Sequence, residues 1–150
     1  MYPFIEQVDA FSVLGIMIRV RQGSESSTLF AGIWEKFELQ RDFIESSSIG
    51  KHYYGINFPT EKENFTDYLA GMRVKEDIPV AEGFVKRKVP GGYYAIFKCH
   101  VEGIGECYQK IFTEWLPASG FTFDSQNPVF EEYPEKDSSL PVRICIPLVR

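Results

Sequence analysis

Apolar positions along the chain alternate between two periods, and the changes of period predict its elements. The stretch "FSVLGIMIRV" (11–20) is rich in β-branched and apolar residues and reads as a strand, ended by the turn-forming "RQGSESS". Ser26 or Ser27 is placed to cap the helix that follows. From there Phe30, Ile33, Trp34, Phe37 and Ile44 fall on one helical face, with Glu35, Lys36, Glu38, Gln40 and Asp42 elsewhere. That helix is expected to end in Ser46-Ser47-Ser48, before Gly50. "HYYGINF" (52–58) and "DYLAGMRVK" (67–75) then read as two strands joined by the polar loop "PTEKEN".

The same order returns in the second half. "YYAIFKCHV" (93–101) predicts a strand, and Ile104, Cys107, Tyr108, Ile111, Phe112, Trp115 and Leu116 then mark the apolar face of a second helix. Pro117 and Gly120 are expected to stop it. "VFEEYPE" and "VRICIPLV" (142–149) complete the pattern as two strands around "KDSSLP". Strand, helix, strand, strand is therefore written twice, with Trp34 in the first half corresponding to Trp115 in the second. The expected fold is α+β: duplicated βαββ units with pseudo-twofold symmetry, two main helices on an antiparallel sheet, and a ligand groove between the halves. One domain is expected over 1–150, with approximate halves 1–80 and 81–150.

Composition narrows the function. The net charge of −5 argues against a nucleic-acid binder, which needs a basic face to neutralise phosphates. The densest basic run, Lys86-Arg87-Lys88, reads as a solvated loop before Pro90-Gly91-Gly92. Aromatic residues make up 15% of the chain, enough either to line a pocket or to fill the core. The three cysteines show no Cys-x-x-Cys spacing and read as buried, reduced thiols of a reducing compartment. His52 and His100 read as surface residues at strand ends, and with the scattered cysteines they form no metal-ligand pattern. There is no leader-like N-terminus and no apolar run approaching a membrane span, so a cytoplasmic protein without membrane contact is expected.

Catalytic and cofactor motifs are equally scarce. The sequence has no Gly-x-Ser-x-Gly elbow and no phosphate loop, "PGGYY" being a turn before a strand. No metal or cofactor is expected. Cys107 lies in the apolar stripe of the second helix and reads as an inert thiol rather than a nucleophile. What stands out is "NPVFEEYPE" (127–135), where two carboxylates adjoin inside an aromatic strand. Strand alternation sends Glu131 and Glu132 to opposite faces without saying which is buried.

Four phrases, in their order and spacing, carry a resemblance. They are Asp67-Tyr68 with Ala70-Gly71; Pro90 through Phe97; Trp115-Leu116-Pro117 with Ser119-Gly120; and Phe130-Glu131 with Tyr133. Together they resemble the GyrI-like small-molecule-binding domain, also called the AraC-type effector-binding domain, over essentially the whole chain and more weakly before residue 50. The likeness is to the stand-alone form, similar to drug-binding proteins of integron cassettes. It implies the duplicated βαββ fold and a lipophilic, often cationic small molecule as ligand, with no direct DNA binding.

In that family the glutamate of the F-E-x-Y phrase faces the ligand groove, which selects Glu131 here. Tyr133 then shares its strand face, and Glu132 is left to solvent. Glu131 would serve as counter-charge to a bound cation, with Phe30, Trp34, Tyr68, Tyr108 and Trp115 as aromatic walls. The resemblance also implies two rivals. One is a hydrolase of strained cyclopropane-type natural products with Glu131 as general base. The other is a gyrase-inhibitor-like module with a protein partner.

Overall fold

The computed structural model describes residues 2–22 and 26–150 of the chain. The side chains of Ser26 and Ser27, and with them the expected helix cap, lie outside the described residues. Among those described, eight strands form one antiparallel sheet: β1 (Phe4–Val8), β2 (Phe11–Arg21), β3 (Ser48–Pro59), β4 (Phe65–Val74), β5 (Val85–Val89), β6 (Gly92–Cys99), β7 (Val129–Tyr133) and β8 (Val142–Leu148). Helix α1 (Ser26–Glu45) connects β2 to β3. A helical stretch over 101–119 connects β6 to β7. It comprises a 3-10 turn (Val101–Gly103), α2 (Ile104–Lys110), a π-helical turn (Ile111–Trp115) and α3 (Leu116–Ser119).

The spatial order β1-β6-β8-β7-β3-β4-β2-β5 is a palindrome. Exchanging β1–β4 for β5–β8 reverses it, which places the pseudo-twofold axis at the central β3–β7 pair. The repeat is one strand longer than the expected βαββ unit. Each half opens with an edge strand that pairs with the other half, β1 with β6 and β5 with β2.

The run Lys86-Arg87-Lys88 is thus no loop but the middle of β5. Its alternation is concealed by charge. Arg87 turns inward over the ring of Phe58 at 4.1 Å, while Lys86 reaches the Ile78 carbonyl at 2.8 Å and Lys88 the Glu76 carboxylate at 3.3 Å. Lysines on an edge strand also discourage pairing with another chain.

Phe11 on β2 and Phe130 on β7 have ring centroids 5.6 Å apart, although two strands lie between theirs. In a flat sheet the same strands would be roughly 14 Å apart, so the sheet is curled. The concave face holds one apolar cluster, including Phe11, Ile56, Tyr94, Phe130 and Cys145. The other face carries the helices and two clusters. One joins Ile33, Phe37 and Ile44 of α1 to Ala70 and Met72. The other joins Ile111 to Phe97, Ile144 and Ile146. Where β2 meets β4, Gly15 pairs with Gly71, and neither position has room for a Cβ.

Pro117 does not stop the second helix. It occupies the first turn of α3, where its missing N–H is no loss. Gly120, at φ +79°, ends the helix in the left-handed conformation that glycine adopts freely. Cys99 and Cys107 are joined by a disulfide that ties the end of β6 to α2, contrary to the expectation of three reduced thiols. Cys145 is free and buried. Among the described residues no helix is long and apolar enough to cross a membrane. No group of three or more His, Cys, Asp or Glu among them is placed to hold a metal.

Candidate functional site

Strand β7 lies at the centre of the sheet, between β3 and β8. Alternation along it sends Phe130 and Glu132 to the concave face, and Val129, Glu131 and Tyr133 to the helix face. Glu132 is not left to solvent. It is half-buried, accepting hydrogen bonds from the Tyr54 hydroxyl at 3.0 Å and the Arg143 guanidinium at 3.3 Å, with His52 at 3.4 Å. The neighbours that hold it come from β3, remote in sequence, and from β8, the next strand along the chain.

Glu131 is buried, only 5% exposed, at the junction of the two helix-covered clusters. The Tyr108 hydroxyl, from α2, donates to its Oε2, and the Tyr133 hydroxyl donates to Oε1 at 3.1 Å. From the α1 side, Trp34 donates its indole N–H to the Tyr68 hydroxyl at 2.9 Å, and its ring meets Tyr133 edge-on at 5.4 Å. Phe30 packs on Tyr68 with centroids 4.5 Å apart. Six of the seven residues expected at the site are therefore joined in one network. Trp115 stands apart, packed on Phe97 and Phe121 in the cluster beneath α2.

Two features make this arrangement possible. Gly55 on β3 pairs directly with Glu131. A Cβ there would lie 2.3 Å from the Tyr68 hydroxyl and 3.0 Å from Glu131 Oε1, so the network occupies space that only glycine leaves. The glycine in "HYYGINF" is the one sequence signal of this, since glycine inside a strand marks a close approach. The second feature is the disulfide at Cys107, which anchors α2 one residue before Tyr108.

Burial dominates the electrostatics. It pushes the Glu131 carboxyl up to about 7, against the smaller opposing pull of its two tyrosine hydrogen bonds. Burial and the nearby Glu131 charge push Tyr68, Tyr108 and Tyr133 far above the usual phenol range, so their hydroxyls remain donors. Among the described residues no lysine, arginine or histidine forms an ion pair with Glu131.

A cavity of about 690 Å³ opens beside this network, between the start of α1, the β3–β4 turn and the segment leading into β7. Phe30, Tyr108, Phe112, Phe123, Val129 and Asn57 are among its walls. Phe30 and Tyr108 belong to both cavity and network. Glu131, Tyr133, Tyr68 and Trp34 lie behind them, and Trp115 borders a separate, smaller cavity with Lys110. Sequence reasoning missed Gly55 and Asn57.

This architecture recurs among solved structures. The structure of SAV2435 bound to tetraphenylphosphonium matches with a TM-score of 0.85 over 99% of this chain and 94% of that one, at 14% identity. The Vibrio cholerae integron cassette protein VCH_CASS2 matches with a TM-score of 0.72 over 99% and 97%, at 20% identity. At these identities the likeness is one of fold. The chain itself belongs to the Cass2 family, integron-associated effector binding proteins, whose profile it matches over residues 4–148. It is also 32% identical over 122 residues to the transcriptional regulator BrlR of Pseudomonas aeruginosa, covering 80% of this chain and 44% of that protein. The chain thus spans less than half the length of that relative. The GyrI-like, effector-binding character read from the four phrases is borne out, and the chain is a small-molecule-binding protein.

Proposed function

We propose that the protein binds lipophilic cations, with Glu131 as their charge partner. The observation that carries this is a carboxylate buried among aromatic rings with two hydroxyl donors and, among the described residues, no cation paired with it. Keeping such a group ionised is unfavourable in the free protein, and a bound cation restores the balance. In a site of low dielectric the attraction exceeds that of a surface pair, and each aromatic face adds roughly 0.5–2 kcal/mol. The cavity stops at Tyr108 and Phe30, so the cation reaches Glu131 as the Tyr108 hydroxyl gives up its place there. Tyr133 remains to hold the carboxylate in position. Support also comes from SAV2435, solved with tetraphenylphosphonium bound, a compound of this class.

Titration with tetraphenylphosphonium at pH 8 tests the assignment. The Glu131→Gln variant is expected to bind at least roughly 30-fold more weakly than the parent, the lower end of what losing one partner of a buried charge pair costs. Equal affinities would remove Glu131 from the role.

A second reading has one observation in its favour. A carboxyl pushed to about 7 and hydrogen-bonded to a tyrosine of the cavity wall is poised as a general base once that tyrosine moves aside. Turnover of a strained electrophile beyond one equivalent, lost in Glu131→Gln, would make the protein a hydrolase. Saturable binding without turnover favours sequestration.

A further inference from the structure

The charge at Glu131 explains attraction but not selection among cations, and the cavity carries a second polar feature that the tyrosine network does not use. Asn57 lies on β3 two residues beyond Gly55, on the same helix-facing side, and pairs in register with Tyr68 on one flank and Val129 on the other. Its side chain lines the cavity and makes no hydrogen bond to any described residue. The other amides and hydroxyls of the wall are differently placed. Asn127 donates to Asp124 at 2.6 Å and Thr60 to the Lys62 carbonyl at 2.8 Å, while Gln22, Asn64 and Ser125 stand in turns beyond the strand ends. Thr66 on β4 pairs with Pro59, two positions farther from the carboxylate than Asn57. Asn57 is thus the first free polar group on the way out from the carboxylate, roughly 7 Å from Gly55 along the strand.

We infer that Asn57 determines specificity, selecting organic cations that carry a hydrogen-bonding group such as an amide about 7 Å from the positive charge. This rests on Glu131 being the charge partner. An amide offers both a donor and an acceptor, so a ligand carbonyl or N–H satisfies it in either orientation. A purely apolar cation covers it without replacing the hydrogen bonds it makes to water, and a site with such a group discriminates against ligands that leave it unpaired.

The experiment compares two arylammonium ions matched in size, (4-carbamoylphenyl)trimethylammonium and (4-isopropylphenyl)trimethylammonium, by calorimetric titration of the parent, Asn57→Leu and Glu131→Gln. The parent is expected to favour the carboxamide over the isopropyl compound by roughly three- to tenfold, the value of one net hydrogen bond. Asn57→Leu should lose that preference while still binding the isopropyl compound at least as well as the parent does. Asn57→Val, a β-branched replacement suited to a strand, should behave alike and guards against a folding defect peculiar to leucine. A parent without preference, or a preference that survives both substitutions, overturns this inference alone. Binding of neither cation, or binding unaffected by Glu131→Gln, overturns the charge-partner assignment and this inference with it.

Discussion

Gly71→Ala is expected to lower stability by about 3 kcal/mol or more, with a fall in melting temperature of roughly 6–12 °C. A Cβ at Gly71 would lie 2.3 Å from the Leu14 carbonyl oxygen and 2.8 Å from its carbon. Those are backbone atoms of β2 and cannot swing aside. Gly15, its cross-strand partner, is tighter still, with Ala70 O at 2.0 Å. The same substitution at Gly32, in the middle of α1 with nothing within 4 Å of its Cβ, should instead stabilise by about 0.5–1 kcal/mol. Thermal melts of the two variants therefore move in opposite directions. Equal shifts would mean that the β2–β4 crossing is not held by close backbone contact.

The second large effect is that Glu131→Gln should make the free protein more stable above neutral pH. The carboxyl stands at about 7 in the folded chain and near its ordinary 4.5 when unfolded. Its folded value is raised, so its contribution is fully present below pH 4.5 and is lost as pH rises through 7. Across that window the parent should lose on the order of 3 kcal/mol that the glutamine variant keeps. Denaturant titrations at pH 4 and pH 8 measure the difference, and parallel behaviour of the two proteins would contradict it. A residue whose replacement stabilises the fold while weakening cation binding is one retained for function rather than for folding.

Much of this was legible in the sequence because two periods dominate it. The stripe through Ile33, Trp34, Phe37 and Ile44 did place α1 on the sheet, and alternation at Phe130-Glu131-Glu132-Tyr133 did separate the two carboxylates. What alternation cannot show is the partner on the next strand. The Arg143 and Tyr54 groups that hold Glu132, and the gap at Gly55 that admits the Glu131 network, come from pairings invisible along the chain.

The edge strands β1 and β5 escaped because an edge is solvated and needs few apolar residues. Most of β1 is exposed, and the core contact of Arg87 on β5 is made by a guanidinium on a ring. Trp115 was misleading for a geometric reason. Seven residues after Tyr108 it belongs to the same face of a regular helix, but the π turn over Ile111–Trp115 adds a residue to the turn. That rotates the tryptophan by roughly 100° toward Phe97. Cys99 and Cys107 have no motif spacing, since their meeting depends on how the 3-10 turn at Val101–Gly103 folds α2 back over β6.

The assignment of Glu131 as charge partner has one most direct test, the affinity for tetraphenylphosphonium as a function of pH in the parent and in Glu131→Gln. A cation needs the carboxylate ionised, and below about pH 7 the free protein holds it protonated. The parent's affinity should therefore level off above pH 8 and fall about tenfold per pH unit below 7, reaching roughly 30-fold weaker at pH 5.5. The glutamine variant should bind weakly with no such slope. A parent whose affinity does not change between pH 5.5 and 8, or a variant that keeps the parent's slope, would contradict the assignment.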